Sequence, residues 1–358
     1  LVDYWDWRMV FYVNVPVVLI AIAMGLAWIE ETPTSDIGFD VKGFFLAAVG
    51  FSAVLYAFSY APTWQWDDWR IVTLLTVGCL CILAWVIVEL RVKKPLLDLH
   101  MFKNGGFSLG IGLTFVTTIG LFSLVFLLPL FLQNLRGFSA LASGLMVLPT
   151  VIGSMISMPL AGRLYDRIGP RFPTVLGLLI TGISSLWLQM LDVTTPDDLL
   201  RWILFIRGIG VGFAMMPVMT YTLSAVPQRM TAQASAMINV SRTIFASLGI
   251  AVFATMLDTF QKTNLSMMVQ TITPDSVIAL QMLSQLQVYL MQAGMTLQAA
   301  QQAAVNLLYQ YVNVRASVTA FQMDYVISAV VIIIGIIPAM FLPFGRIKKS
   351  SGPALPME

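Results

Sequence analysis

Reactive side chains are scarce in this sequence: it has one histidine and two cysteines, and charged residues make up only 11%. Cys79 and Cys81 lie two apart on one helical stretch and face different directions, which argues against a disulfide or a shared metal site. His100 sits in a connection beside Lys94 and Lys103 and reads as a solvated bystander. No G-x-x-x-x-G-K-[ST] loop and no H-E-x-x-H spacing occurs, so nothing points to ATP hydrolysis by this chain or to a metal centre. A membrane enzyme acting on lipid headgroups would need paired carboxylates, a histidine cluster or a nucleophile beside a base, and no such constellation appears.

Apolar residues are what the chain has in quantity. They make up 58% of it, and its mean hydropathy of +0.84 is far from that of a soluble domain. Nine runs are long enough to cross a hydrocarbon core as helices, which satisfy every backbone N–H and C=O internally. They are residues 10–29, 43–60, 71–88, 107–132, 141–161, 174–191, 202–226, 232–257 and 325–344. The expected fold class is an all-α polytopic membrane protein with nine spans. The first residue is Leu1 and not methionine, so the chain reads as a fragment whose earlier spans lie upstream.

Lysine and arginine concentrate in alternate connections, as cytoplasmic loops do. Lys42, Arg91, Lys93, Lys94, Lys103, Arg163, Arg167, Arg171, Arg229, Arg346, Lys348 and Lys349 fall on one side. Arg8, Arg70, Arg136, Arg201, Lys262 and Arg315 fall on the other, with Arg207 and Arg242 inside spans. Leu1 is therefore expected outside and Glu358 in the cytoplasm. Tyr4, Trp5 and Trp7, and then Trp64, Trp66 and Trp69, make interfacial belts.

Polar groups at membrane depth are costly and often functional. All acidic residues fall in connections or near span ends, with Glu89, Asp192, Asp258 and Asp324 nearest the interior, so no mid-helix carboxylate is expected to carry a proton. Arg207 either snorkels or bonds to a neighbouring helix, or else lines a solvent-filled cavity; Arg242, near Asn239 and Ser241, has the same alternatives. Gly208 with Gly212, and Gly106 with Gly110, form G-x-x-x-G faces that admit a close neighbour. Pro129, Pro149, Pro159 and Pro217 are expected to bend their helices. Phe115, Phe122 and Phe126, with Met215, Met219 and Tyr221, could line an adaptable apolar pocket or simply pack.

Residues 162–171 read as a tight loop: Gly162 and Gly169 permit the reversal, Asp166 caps a helix or pairs with a cation, and Arg163, Arg167 and Arg171 meet helix ends or lipid phosphates. The spaced glycines and the aspartate suggest a conformational latch, with Arg229 as another partner. Residues 258–323 are too polar on average to span. They read as a hairpin of amphipathic helices over the outer face, with helix starts at Thr273-Pro274-Asp275 and Gly294-Met295-Thr296.

Taken in order, several stretches resemble the drug:proton antiporters with fourteen spanning helices (EmrB/QacA type) of the major facilitator superfamily. They are Trp5-Asp6-Trp7-Arg8 with Val13-Asn14-Val15-Pro16; Leu128-Pro129-Leu130-Phe131-Leu132-Gln133 with Gly137-Phe138-Ser139-Ala140; the loop from Gly162 to Arg171; Arg207-Gly208-Ile209-Gly210-Val211-Gly212; and Ala234-Ser235 with Asn239 and Arg242. The resemblance implies that residues 1–30 hold the last helix of an amino-terminal bundle whose other five helices are missing. Residues 31–97 would be a central two-helix insertion, and residues 98–257 and 324–350 a carboxyl-terminal six-helix bundle. It also implies export of small amphipathic compounds in exchange for protons across a cell membrane, by alternating access, with no cofactor, no metal and no nucleic-acid partner. Phe115, Phe122, Phe126, Met215, Met219, Tyr221, Asn239 and Arg242 would face the substrate cavity, and the proton-carrying acids would lie upstream of Leu1. A superfamily importer of small organic solutes is the nearer rival, and a membrane sensor working through residues 258–323 the more distant one.

Overall fold

In the computed structural model, described for residues 8–28, 40–92, 98–271 and 277–345, the chain is helical throughout, with no strand among those residues. The helices are α1 (Met9–Trp28), α2 (Val41–Trp64), α3 (Trp69–Arg91), α4 (Gly105–Asn134), α5 (Ala140–Ile168), α6 (Arg171–Trp187), α7 (Asp197–Ser224), α8 (Thr231–Thr271), α9 (Val277–Gln292), α10 (Leu297–Ile334) and α11 (Ile336–Ala339). Among the described residues, nine helices are long and apolar enough to cross a membrane, one for each expected run. Tyr4, Trp5, Trp7 and Thr273-Pro274-Asp275 lie outside the described residues, as do Lys93, Lys94, Arg346, Lys348 and Lys349.

Short polar side chains start several helices where the sequence turns from connection to apolar run. Asp40 accepts from Gly43 N, Asp68 from Arg70 N, Asn104 from Gly106 N and Ser139 from Ala142 N. Each satisfies an amide left open at a helix start. Pro129, Pro149, Pro159 and Pro217 all lie inside their helices.

Helix α7 packs along both α5 and α6, while α4 touches α7, α8 and α10. Helices α2 and α3 pair with each other, and α2 also meets α8. Glycines decide the tightest of these seams. Gly153 on α5 faces the backbone of Phe205 and Ile209, and Gly208 on α7 faces the backbone of Thr150, so no Cβ fits at either position. Gly212 meets Ser157 and Ser154, and Gly177 on α6 meets the backbone of Ala214. This is the close approach expected of a G-x-x-x-G face in a membrane. Gly106 and Gly110 act likewise, against Tyr221 and Thr222 of α7.

Two expectations about the connections need correction. Residues 162–171 are not a loop: α5 continues through Ile168, and the reversal takes only Gly169, at φ +86°, and Pro170. Residues 258–323 are not a separate hairpin laid over the bundle. Helix α8 runs unbroken to Thr271 and α10 begins at Leu297, so most of the segment prolongs two spanning helices. Neither stretch within those helices contains proline or glycine, so the hydrogen-bond ladder has no reason to stop where polarity rises. Only α9 is additional; it packs on α10 through Leu290, Ala300 and Ala304. Gly294, at φ +93°, turns the chain between them, with Met295 N donating to Leu290 O.

Candidate functional site

The most polar place inside the bundle lies where α4, α6, α7 and α10 converge. Its centre is Arg207, 1% exposed. The guanidinium donates to Ser185 Oγ on α6 and to the carbonyl of Gly120 on α4, with a longer contact of 3.5 Å to Thr181 O. Arg207 thus ties three helices together from inside, with no ion pair among the described residues. Interhelical bonding, one of the two alternatives read from sequence, is what the structure contains.

Beside this clamp, Ser123 Oγ on α4 lies 2.6 Å from Ser328 Oγ on α10, and Ser123 also donates to Gly120 O at 3.1 Å. One turn from Ser328 on the same helix comes Asp324, 0% exposed, followed by Tyr325 at 1%. Neither Asp324 carboxylate oxygen, nor the Tyr325 hydroxyl, nor Arg207 Nε meets a hydrogen-bond partner among the described residues. Asp324, expected near the end of a span, lies within a continuous helix, two residues from Gln322, which donates to Leu191 O beside the α6–α7 connection. Asp324 is 27 residues into a 38-residue helix and closed in by the core that contains Leu124, Leu127, Phe131, Phe321 and Tyr325. A buried charge or unbonded polar group is costly enough that such a cluster is a functional candidate.

The candidates for a substrate wall do not all come together. Phe115 packs edge-on against Phe245 of α8 at 5.0 Å, and Phe126 joins the core around Phe131, with Phe122 half-buried on that side of α4. Met215 lies on a different side of α4, where it lines a cavity of about 10 Å³ with Thr117, Gly120 and Thr181. Met219 is exposed. Tyr221 stands at the far end of α7, next to Gly106, away from the phenylalanine stripe. Asn239 is exposed and lines a groove of about 450 Å³ between α2 and α8, with Phe44, Phe51 and Thr243. Arg242 is half-buried and unpaired among the described residues.

In the α5–α6 turn, Arg163, Asp166 and Arg167 are exposed and Arg171 is half-buried. Asp166 neither caps α6, whose N-cap residue Pro170 makes no side-chain bond, nor pairs with a cation among the described residues. The side chain of Arg229 lies outside the described residues. Gly162 is within α5, facing the Met216 methyl, while Gly169 lies against the carbonyl of Gly345, whose N–H donates to Ile168 O at 3.1 Å. The turn is thus fastened to the chain just beyond α11.

Membrane-length helices joined by glycine seams around a buried polar junction are the architecture of a multi-pass membrane protein. The chain belongs to the major facilitator superfamily, whose profile matches residues 1–250. It is 35% identical over 256 residues to YhcA of Bacillus subtilis (strain 168), described as an uncharacterized MFS-type transporter; the match covers 71% of this chain and 48% of that protein. It is 29% identical to the lincomycin resistance protein LmrB of Listeria innocua, over 77% of this chain and 58% of the relative. It is 30% identical to the multidrug resistance protein Stp of Mycobacterium tuberculosis, over 77% and 52%. The chain spans about half the length of these relatives. A solved bacterial homologue of the human lysosomal transporter Spinster aligns over 83% of this chain and 65% of its own, with 18% identity and a TM-score of 0.47. The superfamily to which the chain belongs is one of transporters and not of enzymes.

Proposed function

We propose that this chain is part of a secondary active exporter of amphipathic, cationic compounds, driven by proton antiport and working by alternating access in the cell membrane. Likeness to proteins named for lincomycin and multidrug resistance over 77% of the chain carries this reading. Two features of the chain agree with it. The α5–α7 seam is tight enough to move as one body, which rocking between two packings requires. The half-buried side chains that α4 offers, Phe115, Phe122 and Phe126, suit greasy cargo better than sugars.

In this reading Leu1 lies outside and Glu358 inside, helix α1 belongs to an amino-terminal bundle, and α2–α3 is an insertion between bundles. Helix α1 is apolar and almost wholly exposed, as a helix made for lipid or for partner helices would be. The test is accumulation of tetraphenylphosphonium in cells with and without the complete gene product. Lower accumulation that a protonophore abolishes is expected. Equal accumulation across a panel of lipophilic cations would remove drug export from consideration.

A further inference from the structure

We propose that Asp324 carries the exchanged proton through this half of the transporter. The inference rests on the antiport reading above and adds to it a residue. Carriage requires a carboxyl group inside the membrane region, shielded from both aqueous phases and open to protonation. Asp324 is fully enclosed, and both its oxygens are free to accept a hydrogen.

The surroundings contain little that could take its place. Helix α4 has no titratable side chain, α6 has only Arg171 at its far end, and α11 has none. Helix α9 contributes Tyr289 alone. On α8, Asp258 and Lys262 pair with each other at 2.7 Å on the exposed surface, Arg242 lies near the opposite end, and the α8 group that meets Met323 is the neutral Asn264. From α7 comes Arg207, and from α10 itself Tyr325, on which Arg207 and Asp324 both act electrostatically. Arg315, nine residues and about 13 Å along the helix, is occupied with Asp192 at 3.2 Å.

Other polar groups lie close by: Ser328 is one turn from Asp324 without bonding to it, Ser328 meets Ser123, and Ser123 and Arg207 both donate to the Gly120 carbonyl. In one arrangement of the bundle a hydronium on the outer side gives its proton to an Asp324 oxygen and leaves as water. In the other, a water on the inner side takes that proton and the carboxylate is restored. No other bond forms or breaks.

The experiment uses inside-out vesicles containing the complete gene product, with tetraphenylphosphonium as the probe. Asp324→Asn keeps the shape and polarity of the side chain but cannot cycle a proton. It should lower gradient-driven uptake at least about tenfold while leaving substrate counterflow, which needs no net proton movement, near wild type. Asp324→Glu should recover part of the driven uptake. Driven uptake by Asp324→Asn at the wild-type rate, with an unchanged pH profile, overturns the proposal and leaves drug export standing; absence of any uptake by wild type overturns the export reading instead. Loss of driven uptake and counterflow together, at normal abundance, also overturns it by assigning Asp324 a structural role. Should the variant not accumulate, dicyclohexylcarbodiimide labelling of the wild-type protein decides: adduct at Asp324, reduced by tetraphenylphosphonium, supports the proposal, and none at saturating reagent refutes it.

Discussion

The α5–α7 seam and the α2–α8 seam are built in opposite ways. In the first, Gly153, Gly208 and Gly212 bring backbone against backbone, leaving no room even for a methyl group. In the second, side chains such as Phe44, Phe51 and Asn239 line a groove of about 450 Å³, and Trp66, in the connection just after α2, donates to Thr255 Oγ1 of α8 at 2.8 Å. Apolar side chains gain nothing by leaving lipid, so helices in a bilayer are held by close packing and hydrogen bonds. The comparison teaches two ways of holding helices: α5, α6 and α7 meet backbone to backbone, whereas α2 meets α8 through side chains such as Ala47 and Phe51 packed near Ala234 and Met237.

The largest effect should come from spoiling the tight seam. Gly208→Val places a branched side chain against the Thr150 backbone; a loss of about 3 kcal/mol is expected, read as lower membrane abundance and a lower Tm of the purified protein. Unchanged stability would show that the seam is not closed in solution. Next comes Arg207→Met, which removes the clamp across α4, α6 and α7, leaving Ser185 Oγ without its donor and the Gly120 carbonyl with Ser123 alone. About 2 kcal/mol should be lost in thermal unfolding, with Arg207→Lys recovering part of it.

Smaller effects probe motion. If the α5–α6 turn latches one arrangement, Asp166→Asn should slow transport about fivefold at normal abundance, and an unchanged rate removes the latch. The smallest change belongs to the loose seam. Trp66→Phe deletes its polar tie to Thr255 and should cost about 1 kcal/mol or less, seen as slightly faster proteolysis near α2 with transport nearly intact.

The sequence revealed what depends on composition along the chain. Nine apolar runs correspond to nine membrane-length helices among the described residues, and the G-x-x-x-G pairs at Gly208 and Gly106 mark real points of close approach. It concealed what depends on how helices are rotated and where they stop. Phe115 and Met215 both belong to apolar faces, yet they lie on different sides of α4, a setting fixed only by the packing of α7 and α8 around it. Residues 258–271 turn polar without breaking the helix, so hydropathy ended α8 some fourteen residues early. Asp324 was hidden by the same error: a span taken to begin at Tyr325 leaves its neighbour outside, whereas α10 begins 27 residues before Asp324. The one available signal was the proline- and glycine-free stretch from Leu297 onward.

Helix α8 has 41 residues and α10 has 38. At 1.5 Å per residue α8 is about 60 Å long, twice the roughly 30 Å of hydrocarbon it must cross. Its distal part runs beside α10, where Asn264 meets Met323, and α9 packs on α10. A rigid rod magnifies: a tilt of about 10° at one end sweeps a point about 30 Å along the shaft through about 5 Å. Spin labels at the exposed Tyr309 of α10 and the exposed Phe45 of α2 would put that swing within reach of a distance measurement.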